Sequence, residues 1–311
     1  MKARAATATG VAVLIAASLL IGAARAGADW DLMLISRLPR TLAALLAGAG
    51  LALAGSVVQL ALRNRIVEPG LSGTPESAMA GLLAMTLIAP GAAVMVKMAA
   101  ASVAALAGTA GFLAIARHVP RRDPMLLPLV GLIYAGILGA GVIWVAWTCD
   151  LMQLLSAWQI GEFSGVMRGR YELLWLIAAL GLALYCAADR ITLLSLGEAQ
   201  ARSLGLGYHG TLAIGLTIVA AMTAAIVVTV GMLPFVGLIV PNIVSRWRGD
   251  NLRANLPLIA LAGGVAVLAS DVVGRLIRWP YEIPAGTIFA VAGAGIFLWL
   301  LYSRQSSAAH G

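Results

Sequence analysis

Charged residues are scarce in this sequence. Asp, Glu, Lys and Arg make up 11% of its 311 residues, whereas about a quarter of a soluble domain is charged. Hydrophobic residues make up 61%, and the mean hydropathy is +0.95. This composition excludes an ordinary soluble domain. It predicts an all-α, polytopic membrane protein in which helices satisfy their own backbone hydrogen bonds within the bilayer.

Residues that bind phosphate or metals are also few. The only lysines are Lys2 and Lys97, and neither follows a glycine-rich loop, so the phosphate-binding loop of an ATPase is absent. The three histidines are scattered, and Cys149 and Cys186 fall at the ends of different predicted spans. We therefore expect no catalytic residue, no metal site, no disulfide and no cofactor. A metal that crosses with this protein would already be chelated.

The formal net charge is +8, but no basic patch is interleaved with aromatic residues, so we do not expect nucleic acid as a partner. With the N-terminus inside, 13 of the 21 Lys and Arg residues fall in inner loops, as is typical of cytoplasmic loops. This asymmetry favours both termini in the cytoplasm. It also places residues 189–209 on the cytoplasmic side.

Nine apolar runs are long enough, or nearly so, for membrane spans of roughly 20 residues. They are 10–26, 41–62, 76–89, 93–116, 125–147, 171–188, 210–230, 257–277 and 284–302. A shorter segment from Leu233 to Trp247 is interrupted by Pro234, Gly237 and Pro241 and is interpreted as a broken or tilted helix. Counting it predicts about ten transmembrane helices.

The first apolar run has a second interpretation. Lys2 and Arg4 precede it, and small residues from Ala23 to Ala28 follow it, a pattern that also fits a cleavable signal peptide. Both interpretations stay open at this stage.

The stretch Asp189–His209 is polar between two apolar spans, yet it carries leucines and alanines in alternation with polar residues. Three glycines divide it, so we predict one or two short amphipathic helices joined by turns. Its apolar face must pack either on the protein's own helix ends or on a partner.

Arginines also lie near span ends on the outer side, where the topology disfavours positive charge. Arg37 and Arg40 precede the second span, and Arg275 follows Asp271 by four residues. One account is interfacial snorkelling or an Asp271–Arg275 pair on one helix face. The other is a docking surface for an acidic partner.

Four stretches resemble the FecCD family, permease subunits of importers for iron-siderophore complexes, haem and cobalamin. They are RLPRTLAALLAGAGLALAGSVVQLALRNRIVEPG (37–70), LSLGEAQARSLGL (in the region 193–206), PFVGLIVPNIVSRWRGDNLRANLPLIALAGGVAVLASDVVGRL (234–276) and EIPAGTIFAVAGAGIFLWLL (282–301). RNRIVEPG, SGTPESA and GEFSGVMRGRYELLW look closest to the branch for ferric siderophores. The resemblance implies the type II importer permease fold, with residues 1–311 as one transmembrane domain.

The resemblance also implies partners: a second permease subunit, cytoplasmic ATP-binding subunits and a substrate-binding protein outside. The closest-looking branch often pairs two different permeases, so we favour a heterodimer. LSLGEAQARSLGL matches the loop that presses on the ATPase. The residues expected to couple to the ATPase are Gly197, Glu198, Ala201, Arg202, Leu204 and Gly205, together with Leu196.

Arg37, Arg40 and Arg275 match family positions that face acidic residues of the binding protein. For the translocation path we expect Ser56 and Gln59 on the second span, with Pro234 and Asn242. Asn242 stands where the family commonly has histidine, which retains hydrogen bonding but not titration. Arg65 and Ile66 replace a frequent Pro-Leu.

The function expected is import of a ferric siderophore across the bacterial inner membrane, with ATP hydrolysed in a separate subunit. Haem or cobalamin import is the alternative. A secondary transporter driven by an ion gradient is a further class, but its candidate acids, Glu76, Glu172 and Asp271, all lie near predicted span ends.

Overall fold

A computed structural model describes residues 2–21, 30–116, 118–119, 126–249 and 251–308. In these ranges the regular structure is helical. The helices are α1 Lys2–Leu20, α2 Trp30–Leu32, α3 Leu38–Ala61, α4 Thr74–Ile88, α5 Val94–Ala116, α6 Leu126–Thr148, α7 Met152–Gln159, α8 Trp175–Leu194, α9 Glu198–Ser203, α10 Tyr208–Val230, α11 Val236–Arg248, α12 Leu252–Ile277 and α13 Ala285–Ala308. The all-α prediction is confirmed.

Helices occupy all nine predicted runs and the broken segment, apart from the part of the first run that falls in 22–26, outside the described residues. Six of the described helical stretches are long and apolar enough to cross a membrane, against about ten predicted. The other candidates are short: α4 has 15 residues and α11 has 13, and the apolar parts of α1 and α13 are Ala8–Leu20 and Ala285–Leu300.

Three local features differ from the sequence prediction. The amphipathic helix α7 was not predicted. A π-helical stretch, Met33–Arg37, joins α2 to α3, so that Trp30–Ala61 is one apolar helical stretch. Helix α12 begins five residues before the predicted start, because the Asn251 side chain accepts a hydrogen bond from the amide of Ala254 (3.1 Å) and caps it.

Helix α3 is the centre of the bundle and packs against α8, α10, α11 and α12. Its closest approach is to α12, where Gly48 faces Gly263. A Cβ on Gly48 would collide with the carbonyl of Gly263, and one on Gly263 would collide with that of Gly48. Small residues therefore let these two backbones touch. With 24 residues, α3 is about 36 Å long, which exceeds the roughly 30 Å of a bilayer's hydrocarbon core.

Candidate functional site

Five charged residues meet beside the beginning of α3, and we call them the outer cluster: Arg37, Arg40, Asp271, Arg275 and Glu282. Asp271 is its centre. One carboxylate oxygen accepts from Nη2 of Arg40 at 2.7 Å, and the other from Nη2 of Arg275 at 2.8 Å. Arg40 also reaches Glu282, with Nη1 2.9 Å from Oε2. Three arginines and two carboxylates leave the cluster with a formal charge of +1.

The outer cluster also caps the end of α1. The last carbonyls of a helix lack partners within it, and cations there interact favourably with the helix dipole. Arg275 Nη1 donates to the carbonyls of Ser18 (2.8 Å) and Ile21 (2.7 Å). Arg37 Nη1 donates to the two carbonyls between them, at 2.7 and 3.3 Å. The two arginines thereby satisfy four consecutive carbonyls and tie α1 to α3 and α12.

Burial decides how accessible these arginines are. The side chains of Asp271 and Arg275 are only 2% and 4% exposed, and Arg40 is 14% exposed. The Asp271–Arg275 pair considered from the sequence is present. Each arginine predicted to dock a partner already donates to groups of this chain, so an external carboxylate has to compete with internal acceptors.

At the other end of α3 lies the coupling run, residues 194–206, with α9 at its centre. Glu198 begins α9, and its Oε1 lies 2.7 Å from Nη2 of Arg202 and 3.3 Å from Nε2 of His209. Gly205 closes the helix with φ +81°, and its amide donates to the Arg202 carbonyl at 2.9 Å. The sequence prediction of a short helix between turns is confirmed.

The two faces of the coupling run have different surroundings. Ala201 is fully buried and Gly197 is buried, so this face packs on the protein itself. Leu204 is 61% exposed, Leu196 is 43% exposed, and the side chains of Glu198 and Arg202 are also accessible. Self-packing and an accessible apolar surface, which the sequence offered as alternatives, therefore occur on opposite faces of one segment.

Three of the four predicted path residues line one cavity of about 270 Å³: Ser56, Gln59 and Asn242. Gln59 Nε2 donates to the carbonyls of Gly237 (3.2 Å) and Leu238 (3.1 Å) at the start of α11. Asn242 Nδ2 donates to the Leu238 carbonyl and to that of Arg65, both at 2.7 Å. The hydrogen bonding expected of Asn242 is thus present in the structure.

Pro234, the fourth predicted path residue, is not among the residues that line this cavity. It precedes Phe235, the N-cap residue of α11, which has φ +67°. The amide of Phe235 donates to Oε1 of Glu68 at 2.8 Å, which anchors this turn to the segment after α3. Helix α11 also touches α3 directly, because a Cβ on Gly55 would collide with the carbonyl of Gly237.

Sequence reasoning missed several residues at these sites. Arg63 and Arg65 line the cavity, although they had been interpreted only as inner-loop charges or as a departure from the family pattern. Glu68 was not singled out. Glu282 was seen only inside a family motif, and its pairing with Arg40 had no local signal because the two residues are 242 positions apart. Among the described residues, no group of three or more His, Cys, Asp or Glu could hold a metal ion.

Comparison with known proteins identifies relatives along most of the chain. The petrobactin import system permease protein YclN of Bacillus subtilis is 42% identical over 88% of this chain and 86% of its own length. The ferric-anguibactin transport system permease protein FatD of Vibrio anguillarum is 36% identical over 88% and 87%. The vitamin B12 import system permease protein BtuC of Citrobacter koseri is 36% identical over 86% and 82%.

A solved structure has the same fold. It is an ABC transporter of metal-chelate type in an inward-facing conformation, with a TM-score of 0.82 and 25% identity over 95% of this chain and 98% of that one. The helical bundle, with its apolar spans and polar sites at both ends of α3, is that of a membrane transport permease. The FecCD transport family matches residues 5–303, and this chain belongs to it.

Proposed function

We propose that this chain is the permease subunit of an ATP-binding cassette importer that moves a ferric siderophore across the bacterial inner membrane. The observation that carries the proposal is the family match over residues 5–303. The relatives named for petrobactin and anguibactin import support a siderophore as the cargo. ATP is hydrolysed by separate cytoplasmic subunits, and this chain's work is conformational.

The coupling run is the proposed contact with the ATP-binding subunits. Its accessible face combines two exposed leucines, Leu196 and Leu204, with the polar pair Glu198 and Arg202. An apolar centre with a charged rim is the usual anatomy of a protein interface. Gly197 and Ala201 support the run from its buried side, and the exposed Gly205 ends α9.

The outer cluster is the proposed docking point for the acidic surface of a substrate-binding protein. Its excess positive charge attracts carboxylates. Arg37 and Arg40 are partly accessible, whereas the buried Arg275 acts by holding Asp271 and the end of α1. Docking therefore exchanges internal acceptors for external ones, which would link the arrival of the binding protein to the packing of α1.

The cavity beside α3 is the proposed inner part of the translocation path, with Ser56, Gln59 and Asn242 on its wall. Pro234, in the turn before α11, is proposed to belong to the path outside this cavity. The wall of the cavity combines amide and hydroxyl side chains with two arginines, Arg63 and Arg65, and with apolar residues. A bulky chelate needs such a surface rather than a cage of metal ligands. Alternation between open and closed arrangements would follow from movement of α11 against α3.

The remaining architecture completes the proposal. The short helices α4 and α11 and the terminal helices α1 and α13 bring the number of passes to about ten, with both termini in the cytoplasm. The bundle pairs with a second permease subunit, and a heterodimer is favoured. Because selectivity would lie largely in the binding protein, haem or cobalamin is the alternative cargo, and the vitamin B12 relatives support cobalamin.

The test is uptake of radiolabelled ferric siderophore by iron-starved cells that lack this chain and are complemented with wild type, Glu198→Ala or Asp31→Ala. We expect wild type and Asp31→Ala, which alters an exposed acid outside the coupling run, to restore uptake, and Glu198→Ala to assemble but fail to transport. Normal uptake without the chain would contradict the siderophore assignment, and parallel assays with haem and cobalamin would test the alternative. Loss of uptake on collapse of the ion gradient at constant ATP would instead indicate a secondary transporter.

A further inference from the structure

The turn that follows α3, which we call the inner turn (residues 62–66), has an unusual backbone. Arg63 adopts φ +51°, a left-handed conformation that is unfavourable for a non-glycine residue. The amide of Arg63 bonds to the Leu60 carbonyl at 3.2 Å, and that of Asn64 to the Gln59 carbonyl at 3.1 Å. Contacts around the turn have to hold this conformation in place.

One such contact is with the coupling run. Gly197, the residue before α9, has φ +93° and ψ 166°, a combination that glycine adopts readily and other residues do not. A Cβ at this position would lie 3.0 Å from Nη1 of Arg63. The guanidinium of Arg63 therefore lies against the backbone from which α9 starts, so close that a side chain at position 197 would have to displace it.

Further contacts join the inner turn to α11. The carbonyl of Arg65 accepts from Asn242 Nδ2 at 2.7 Å, and Nη1 of Arg65 lies 3.0 Å from Ser245 Oγ. Just before the turn, Gln59 donates to two carbonyls in the first turn of α11. The inner turn and the last turn of α3 are thus bonded to α11 at both ends of that 13-residue helix.

We infer that the inner turn is a positioning element that transmits displacement of the coupling run to α11, with Arg63 as its contact on one side and Asn242 on the other. Helix α9 packs on α8 and α10, its neighbours in the chain, so the turn supplies a direct connection to a helix further along. The inference rests on the proposed function, because it assumes that the coupling run is moved by an ATPase.

The connection has a direct consequence for the path. Arg63, Arg65, Gln59 and Asn242 all line the same cavity of about 270 Å³, with Ser195 of the coupling run on its wall as well. A shift of α9 that pushes on Arg63 would move the turn, and through Asn242 and Gln59 it would move α11. The cavity would then change shape although the ATPase does not contact Ser56, Gln59 or Asn242.

The experiment uses the assembled importer, with its second permease subunit, ATP-binding subunits and binding protein, reconstituted in liposomes. ATP hydrolysis, ferric-siderophore uptake and retention of the ATP-binding subunits are measured for wild type, Arg63→Ala, Asn242→Leu and the double variant. The matched control is Arg248→Ala, because Arg248 is an exposed arginine in the last turn of α11. Arg63→Lys retains the charge without the planar guanidinium.

We expect Arg63→Ala and Asn242→Leu each to lower uptake by about tenfold, within the range of coupling effects, while ATP hydrolysis and subunit retention stay within about twofold of wild type. The double variant should be no worse than either single variant, because both interrupt one connection. Arg63→Lys should recover only part of the uptake, and Arg248→Ala should behave as wild type.

Three results would overturn the inference: wild-type uptake by Arg63→Ala, loss of the ATP-binding subunits together with uptake, or multiplicative losses in the double variant. The second would show that Arg63 only maintains the shape of the coupling run, and the third that the two residues act separately. Failure of the proposed function would look different, since wild-type protein would then neither retain an ATPase nor transport the chelate.

Discussion

The two ends of α3 use their charged residues in opposite ways. At the outer end, arginines and carboxylates are buried or partly buried and bind one another and the end of α1. At the inner end, Glu198, Arg202 and two leucines stand on an accessible face of the coupling run. The charged groups of the outer end are bonded to one another, whereas the inner end exposes side chains that another protein could contact without rearrangement.

This difference indicates two kinds of binding. A partner at the outer cluster competes with existing charge-assisted hydrogen bonds, so its affinity reflects an exchange and is sensitive to salt. A partner at the coupling run buries exposed apolar side chains, whose contribution salt does not screen. If the proposed partners bind at these two sites, we expect transient docking at the outer cluster and lasting association at the coupling run.

The largest effect is expected for Asp271→Ala. This change leaves Arg275, only 4% exposed, without its carboxylate, and it takes one of two partners from Arg40. Breaking a buried ion pair by removing one member costs about 3–5 kcal/mol. We expect a large fall in thermal stability of the detergent-purified protein, with loss of the packing of α1.

Glu282→Ala is the matched control, because Glu282 is 30% exposed and pairs with Nη1 of Arg40, whereas Nε and Nη2 of Arg40 bond to Asp271. Its effect on thermal stability should be small. Equal losses for the two variants would show that burial at Asp271 does not distinguish the outer cluster from a surface ion pair.

The next effect concerns the contact between α3 and α12, because α3 joins the outer cluster to the coupling run. Gly48→Leu places a side chain against the backbone of α12 at Gly263, where neither helix can yield without moving the other. We expect strongly reduced accumulation of the protein in membranes, measured by immunoblot. Gly141→Leu, on α6 at a position with open space around it, should accumulate normally. Similar accumulation of both variants would show that α3 and α12 need not touch.

The positions of the helices, apart from α7, followed from the sequence because apolar runs and their breaks depend on neighbouring residues. The short helix α9 was also predictable, since Gly197 and Gly205 bound it and no glycine or proline lies between them. The start of α12 was missed because Arg253 and Asn255 interrupt the apolar run, although Asn251 provides a capping signal. Local patterns therefore located helices better than their exact ends.

The state of the outer arginines could not be predicted in the same way. Arg40 and Glu282 are far apart in sequence, and the carbonyls of α1 that bind Arg37 and Arg275 have no signature in the residue types. The left-handed conformation of Arg63 likewise could not be predicted, because no glycine marks that position. These features arise from tertiary packing, which brings together groups that are far apart in the sequence.

A salt titration tests the comparison directly. Raising the ionic strength from about 0.05 M to about 0.5 M shortens the screening length several-fold. We expect binding-protein affinity, measured by surface plasmon resonance on reconstituted importer, to fall by at least about tenfold, and ATP-binding subunit retention to change little. Leu204→Asp should weaken retention at every salt concentration, because it removes an exposed apolar side chain from the coupling run. Parallel salt dependence of both partners would contradict the distinction between the two ends.

The smallest effect on stability is expected for Arg202→Gln. The Arg202–Glu198 pair lies on one exposed face of α9 with side chains 57% and 33% exposed, and such helix pairs contribute about 0.3–0.5 kcal/mol. His209 remains 3.3 Å from Glu198, so that carboxylate keeps a partner. Thermal stability should therefore stay close to wild type. A clear loss of siderophore uptake at near-wild-type stability would then indicate a contact with the ATP-binding subunit rather than damage to the fold. A loss of stability as large as that of Asp271→Ala would instead show that the inner end, like the outer one, depends on its own ion pairs.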